Sequence, residues 1–104
     1  MWINLAQVQV VMPSKYEAKA VRETLIRNKV TENLRKITVQ IDEFWVRENK
    51  KPSSVSEAFG ITNGYIPLTV EDGEDYSALD ISGDRPLTIK TKSGYEIRYT
   101  RKNP

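Results

Sequence analysis

Four carboxylates crowd around one glycine in Glu71-Asp72-Gly73-Glu74-Asp75, and Asp80 and Asp84 follow within ten residues. Two chemistries use such a group. Calcium takes six to eight oxygens, so Glu71, Asp72, Glu74 and Asp75 are candidate ligands, although the alternation of an EF-hand loop is missing. A carboxylate pair, Asp72 with Asp80 or with Asp84, could exchange protons, but no pocket around it is implied. The competing reading is a plain acidic turn. A third group combines Tyr95 and Tyr99 with Lys90, Lys92, Arg98, Arg101 and Lys102, the mixture of rings and cations that holds single-stranded nucleic acid. Its alternative is a hairpin whose tyrosines face the core.

What is missing narrows the chemistry further. The chain has no histidine and no cysteine. Ser-His-Asp and Cys-His nucleophile sites, the usual zinc ligand sets and any disulfide framework are therefore excluded. The redox compartment stays open. A chain of 104 residues with 38% hydrophobic residues can bury one modest core, so a single domain over residues 1–104 is expected. The net charge of +2 is too small to imply a nucleic-acid or membrane partner. Its distribution is uneven: residues 1–51 carry ten basic side chains against six acidic, residues 52–88 one against seven, and residues 89–104 five against one. An acidic middle between basic ends suggests pairing within the fold or between subunits, beside the plainer reading of three solvated faces.

These groups need elements to position them. Met1 to Met12 is mostly apolar but interrupted by Asn4, Gln7 and Gln9, far short of the ~20 residues that span a bilayer. From Ser14 to about Glu48 apolar residues from Ala18 and Val21 through Ile37 and Ile41 to Trp45 recur at steps of three and four. That spacing predicts one helix roughly 35 residues long, about 50 Å, with one apolar face. Such a helix is too long for the domain to cover, so its first half should project. Leu25 through Trp45 would serve the intramolecular core. Lys50, Lys51 and Pro52 end the helix region by residue 51.

Beyond it lies a loop and sheet head over residues 52–104. Ser54 with Glu57 and Gly60 reads as one capped turn. Tyr65 to Val70 reads as a short edge strand containing Pro67, Tyr76 to Ile81 is ambiguous, and Ser82 to Pro86 is a turn. Leu87 to Thr100 reads as a hairpin. A three-residue loop, Lys92 to Gly94, pairs Leu87 with Tyr99, Ile89 with Ile97 and Thr91 with Tyr95, and only this register keeps the apolar residues on one face. The fold class expected is α+β, with one long N-terminal helix packed on a small antiparallel β-sheet.

Two stretches, VVMPSKYEAKAVRETL (Val10 to Leu25) and NLRKITVQIDEFWVRENKKPSS (Asn33 to Ser54), carry a resemblance to type IV pilins and type II secretion pseudopilins. Ile37, Ile41, Phe44, Asn49, Pro52 and Ser53 match that family's helix and the P-S step after it. The resemblance covers about the first half of the chain. The family's prepilin-peptidase recognition stretch and most of its membrane-spanning helix are not in this sequence, nor is the disulfide with which many members close the C-terminal region. The resemblance implies a pilin-like, non-enzymatic structural subunit of a pilus or pseudopilus filament. Val8, Val10, Val11, Met12, Tyr16, Ala18, Ala20 and Val21 would form its assembly interface. Its partners would be its own copies or related pilin subunits, with no small-molecule substrate and no cofactor beyond the calcium weighed above. It would meet the membrane only through a segment preceding Met1, anchored in the inner membrane before assembly at the cell surface or in the periplasm. The alternative is a small binding module whose basic hairpin and tail hold nucleic acid or an acidic partner.

The plain-turn reading of the acidic run gives a direct expectation. A ligand stabilises only by binding the folded state, so millimolar calcium should leave the melting temperature unchanged. A rise of several degrees, abolished by Asp72→Ala or Asp75→Ala, would assign the run to calcium.

Overall fold

In a computed structural model, which describes residues 15–62, 65–83 and 85–100, a single helix dominates the chain. Helix α1 runs over Lys15–Glu48. It ends at Glu48, where the apolar spacing places its end and within the limit of residue 51, for a reason carried by one residue. Asn49 adopts a left-handed conformation, φ 57°, and its N–H donates to the Trp45 carbonyl at 2.8 Å. Asparagine tolerates that conformation, so the helix closes in an αL cap before the lysines and proline are reached. Lys51 then folds back over the Trp45 ring, 4.8 Å from its centroid, and Pro52 is buried.

A short helix α2 follows at Val55–Ala58. Its caps match the sequence: the Ser54 side chain accepts from the Glu57 N–H, and Glu57 reaches back to the N–H and hydroxyl of Ser53. Its end is a Schellman motif, with Gly60 N–H donating to Glu57 O and Ile61 N–H to Ser56 O. The expected strand at Tyr65 to Val70 does not form. Pro67 centres a tight turn in which Leu68 N–H donates to Ile66 O at 2.8 Å, the proline φ being already suited to an inverse γ-turn. A 3₁₀ turn at Tyr76–Ala78 resolves the ambiguous segment.

The sheet is smaller than expected, a two-stranded antiparallel hairpin of β1 (Leu87–Lys90) and β2 (Glu96–Tyr99). Its register is the one that alternation demands: Leu87 pairs with Tyr99 and Ile89 with Ile97. Thr91 N–H donates to Tyr95 O beyond the last pair, and Gly94 takes the left-handed position of the three-residue loop at φ 96°.

The core lies between one side of α1 and everything after it. Ile26, Val30, Leu34, Ile37 and Ile41 from the helix meet Val55 and Ala58 of α2, Tyr76, Leu79 and Ile81 of the loop, and Leu87, Ile89 and Ile97 of the hairpin. Phe44 is buried but outside this cluster, under the Arg47 guanidinium. The apolar residues of α1 do not share one face. Val21 and Val30, like Leu25 and Leu34, are nine residues apart, two and a half turns, and so point in opposite directions. Leu25 and Trp45, expected in the core, are accordingly 53% and 45% exposed. Among the described residues, ion pairs such as Arg27–Glu23 and Arg85–Asp80 join near neighbours in the chain.

Leu34 is fully buried and Val21 is 57% exposed, so the two sides of α1 should respond differently to truncation. Leu34→Ala should cost about 2–5 kcal/mol in a denaturant titration, whereas Val21→Ala should fall within about 0.5 kcal/mol of the parent.

Candidate functional site

The acidic run does not converge on a common point. Asp72, Glu74 and Asp75 are each engaged by donors of their own. Asp72 accepts from the N–H and the hydroxyl of Ser93, both at 3.1 Å, while its carbonyl accepts the Lys92 N–H at 2.7 Å. The Thr91 hydroxyl, with Ser93, holds its carboxyl below the usual range. Asp75 caps the 3₁₀ turn by accepting from the N–H and hydroxyl of Ser77. Among the described residues no three metal-ligating side chains come together. Gly73 has a structural reason: at φ 69°, a Cβ there would lie 2.8 Å from Lys92 Cβ, so only glycine lets the acidic turn meet the hairpin tip.

Glu74 has the most consequential place. It is 2% exposed, and its carboxylate accepts from the N–H groups of Glu71 and Asp72 and, at 2.5 Å, from the Tyr76 hydroxyl. Asn33 Nδ2 in turn donates to Tyr76 Oη at 2.8 Å and to the Thr69 carbonyl at 2.9 Å. Burial pushes the Glu74 carboxyl up, but the Tyr76 hydroxyl and the backbone N–H groups outweigh it and hold the carboxyl below its ordinary value of 4.5. Burial first, and the adjacent Glu74 carboxylate second, push the Tyr76 phenol up beyond the usual tyrosine range. A satisfied, ionised carboxylate buried to this degree is a clamp, which fastens the 69–76 loop to the helix. Asn33 escaped the sequence reading, although a signal was present: it falls three residues after Val30 and four before Ile37, a polar residue at apolar spacing.

Asp80 is occupied too. It accepts from the N–H and hydroxyl of Ser82 and from Arg85, at the edge of an open cleft lined also by Pro86, Thr88 and Arg98. Asp84 lies outside the described residues. On the hairpin, Lys90, Lys92 and Arg98 face solvent, but Tyr95 and Tyr99 pack against the core, so rings and cations do not share a surface. Arg27 covers Tyr95 further, its guanidinium 5.5 Å from the ring centroid while its Nη1 donates to Glu96 O. Arg101 and Lys102 lie outside the described residues.

The remaining candidate surface is on α1. Val8, Val10, Val11 and Met12 lie outside the described residues, as does the side chain of Tyr16. Ala18, Ala20 and Val21 are exposed, and Leu25 joins them. The first side chain of the helix to be buried, among those described, is Ile26. Over these two turns no described side chain is buried, and among the described residues the apolar surface of Ala18, Ala20, Val21 and Leu25 stays exposed. No described helix is long and apolar enough to cross a membrane. No family model, no characterised protein and no solved structure matches this chain.

The clamp yields a pH-dependent expectation. Because the Glu74 carboxyl is depressed in the fold, its contribution is present above about pH 4.5 and is lost as pH falls through the lower folded value. Tyr76→Phe should cost about 1–3 kcal/mol at neutral pH by leaving Asn33 Nδ2 and Glu74 short of a partner. Glu74→Gln should cost about 2–3 kcal/mol at neutral pH and flatten the fall in stability below that point. Chemical denaturation from neutral to acid pH checks both.

Proposed function

We propose that this chain is a non-enzymatic filament subunit, pilin-like in plan, which assembles with its copies through the start of α1 and presents the head as outer surface. One observation carries the reading: from Ala18 to Leu25 no side chain is buried, and Val21 and Leu25 are more than half exposed, before Ile26 begins the packed side of the helix. An apolar helix face left in water marks a partner site. Two further features agree with a structural role. Glu57 and Asp75 serve as caps and Glu74 as a clamp, and the head is fastened without a disulfide, as the resemblance requires of a chain with no cysteine. The anchoring, the surface or periplasmic location and the use of related subunits as partners follow from that reading. The nucleic-acid alternative is less well supported, because the hairpin tyrosines are turned to the core.

The test is made in the source cell. Antibodies raised against the head should decorate filaments in electron micrographs, and a Val21→Lys allele should abolish those filaments while the protein accumulates at the parental level. Antibody label confined to dispersed protein, with filaments unaffected by the allele, would refute the reading. Salt-sensitive binding of single-stranded DNA, lost on Arg98→Ala, would favour the alternative instead.

A further inference from the structure

The exposed apolar surface of α1 does not stop where the head begins. Val39 is nine residues from Val30 and Val46 nine from Ile37, so both lie opposite the core, 40% and 87% exposed. With Val21 and Leu25 they belong to one row. Between them, at alternating steps of three and four, come Asn28, Glu32, Arg35 and Asp42, all exposed. This is a seven-residue repeat, independent of the core stripe and on the other side of the same helix. Such a row drifts about 20° per heptad around a straight helix, and left-handed pairing with a second helix absorbs that drift. Every position in the row is open to solvent, so the head does not block it.

We propose that this row pairs with the same row of a second copy of the chain, antiparallel, about a two-fold axis between Glu32 and Arg35. Charge selects the partner and the direction. Around that axis Glu32 faces Arg35 of the second copy, and Arg35 faces its Glu32, so the contact is self-complementary. A parallel pair in register would set glutamate on glutamate and arginine on arginine. The same axis brings Val21 against Val46 of the second copy at both ends and, at the margin, Arg22 against its Glu43. Lys29 faces Lys36 there, but both stems can carry their charges outward. Asn28 faces Val39 and Leu25 faces Asp42, mixed layers that keep the pair weak and reversible. The pairing stands apart from the filament reading. If both hold, the dimer is a form that hides Val21 and Leu25 before assembly.

Sedimentation equilibrium of the whole chain up to millimolar concentration should show a reversible monomer–dimer equilibrium. Glu32→Arg and Arg35→Glu should each weaken it by about tenfold or more, since each sets like charges face to face at the centre. Mixing the two variants should restore wild-type association, because Arg then faces Glu at both central positions, a rescue that misfolding cannot produce. The chain has no cysteine of its own, so disulfide trapping reads the direction cleanly. A mixture of Val21→Cys and Val46→Cys chains should cross-link to one another, and Val21→Cys alone should not. A chain that stays monomeric, including one that binds only some other helix, overturns the proposal. So does association indifferent to the charge variants, or cross-linking of Val21→Cys with itself.

Discussion

The hydrogen-bonded chain from Asn33 through Tyr76 to Glu74 is the constraint on which the head depends. Among the described residues of 49–100 little is regular: two four-residue strands, one turn of α-helix and one 3₁₀ turn. A segment so poor in ladder hydrogen bonds must satisfy its backbone in another way, because buried N–H and C=O groups without partners cost free energy. Glu74 does this for the N–H groups of Glu71 and Asp72, and Asn33 does it for the Thr69 carbonyl. The Tyr76 ring, 3% exposed, joins the two and brings Leu79 and Ile81 onto the helix behind it. With no cysteine to cross-link the chain, this buried network takes the place that a disulfide would hold.

Because the described head is fastened to one side of α1 only, the helix keeps an exposed side from Val21 to Val46. Hydrophobic burial and polar clamping serve the same end, in that both fix which residues remain outside. The exposed turns at Ala18 to Leu25 and the row that continues to Val46 are consequences of that asymmetry. A small domain cannot surround a helix of 34 residues, and burying a second stripe would need a second layer that the chain is too short to supply.

The acidic run shows how side chains adjacent in the sequence are parted by the fold. Read as residue types, Glu71 to Asp75 invites a cation. In the fold the carboxylates turn to different neighbours: Asp72 to the hairpin tip, Glu74 to its own loop and Tyr76, and Asp75 to the 3₁₀ turn. Short acidic side chains compete well for nearby backbone N–H groups, which is why they gather at caps and turns.

Local rules made part of this protein legible in the sequence. Alternation together with Gly94 determined the hairpin register, since a slip by one residue would turn Ile89 and Ile97 into water. Ser54, Glu57 and Gly60 determined the short helix, and the long apolar spacing determined α1, because these depend on neighbours within a few residues. Tertiary structure alone decided the rest. It decided that Tyr65 to Val70 is not a strand, since a strand exists only where a partner offers its edge, and that Asn33, Glu74 and Tyr76 form one network across more than 40 residues of chain. It also decided which apolar residues of α1 are core and which are surface. Steps of three and four pass through both rows at Leu25 and Ile26, and only the position of the head distinguishes the side that is covered from the side that is left open.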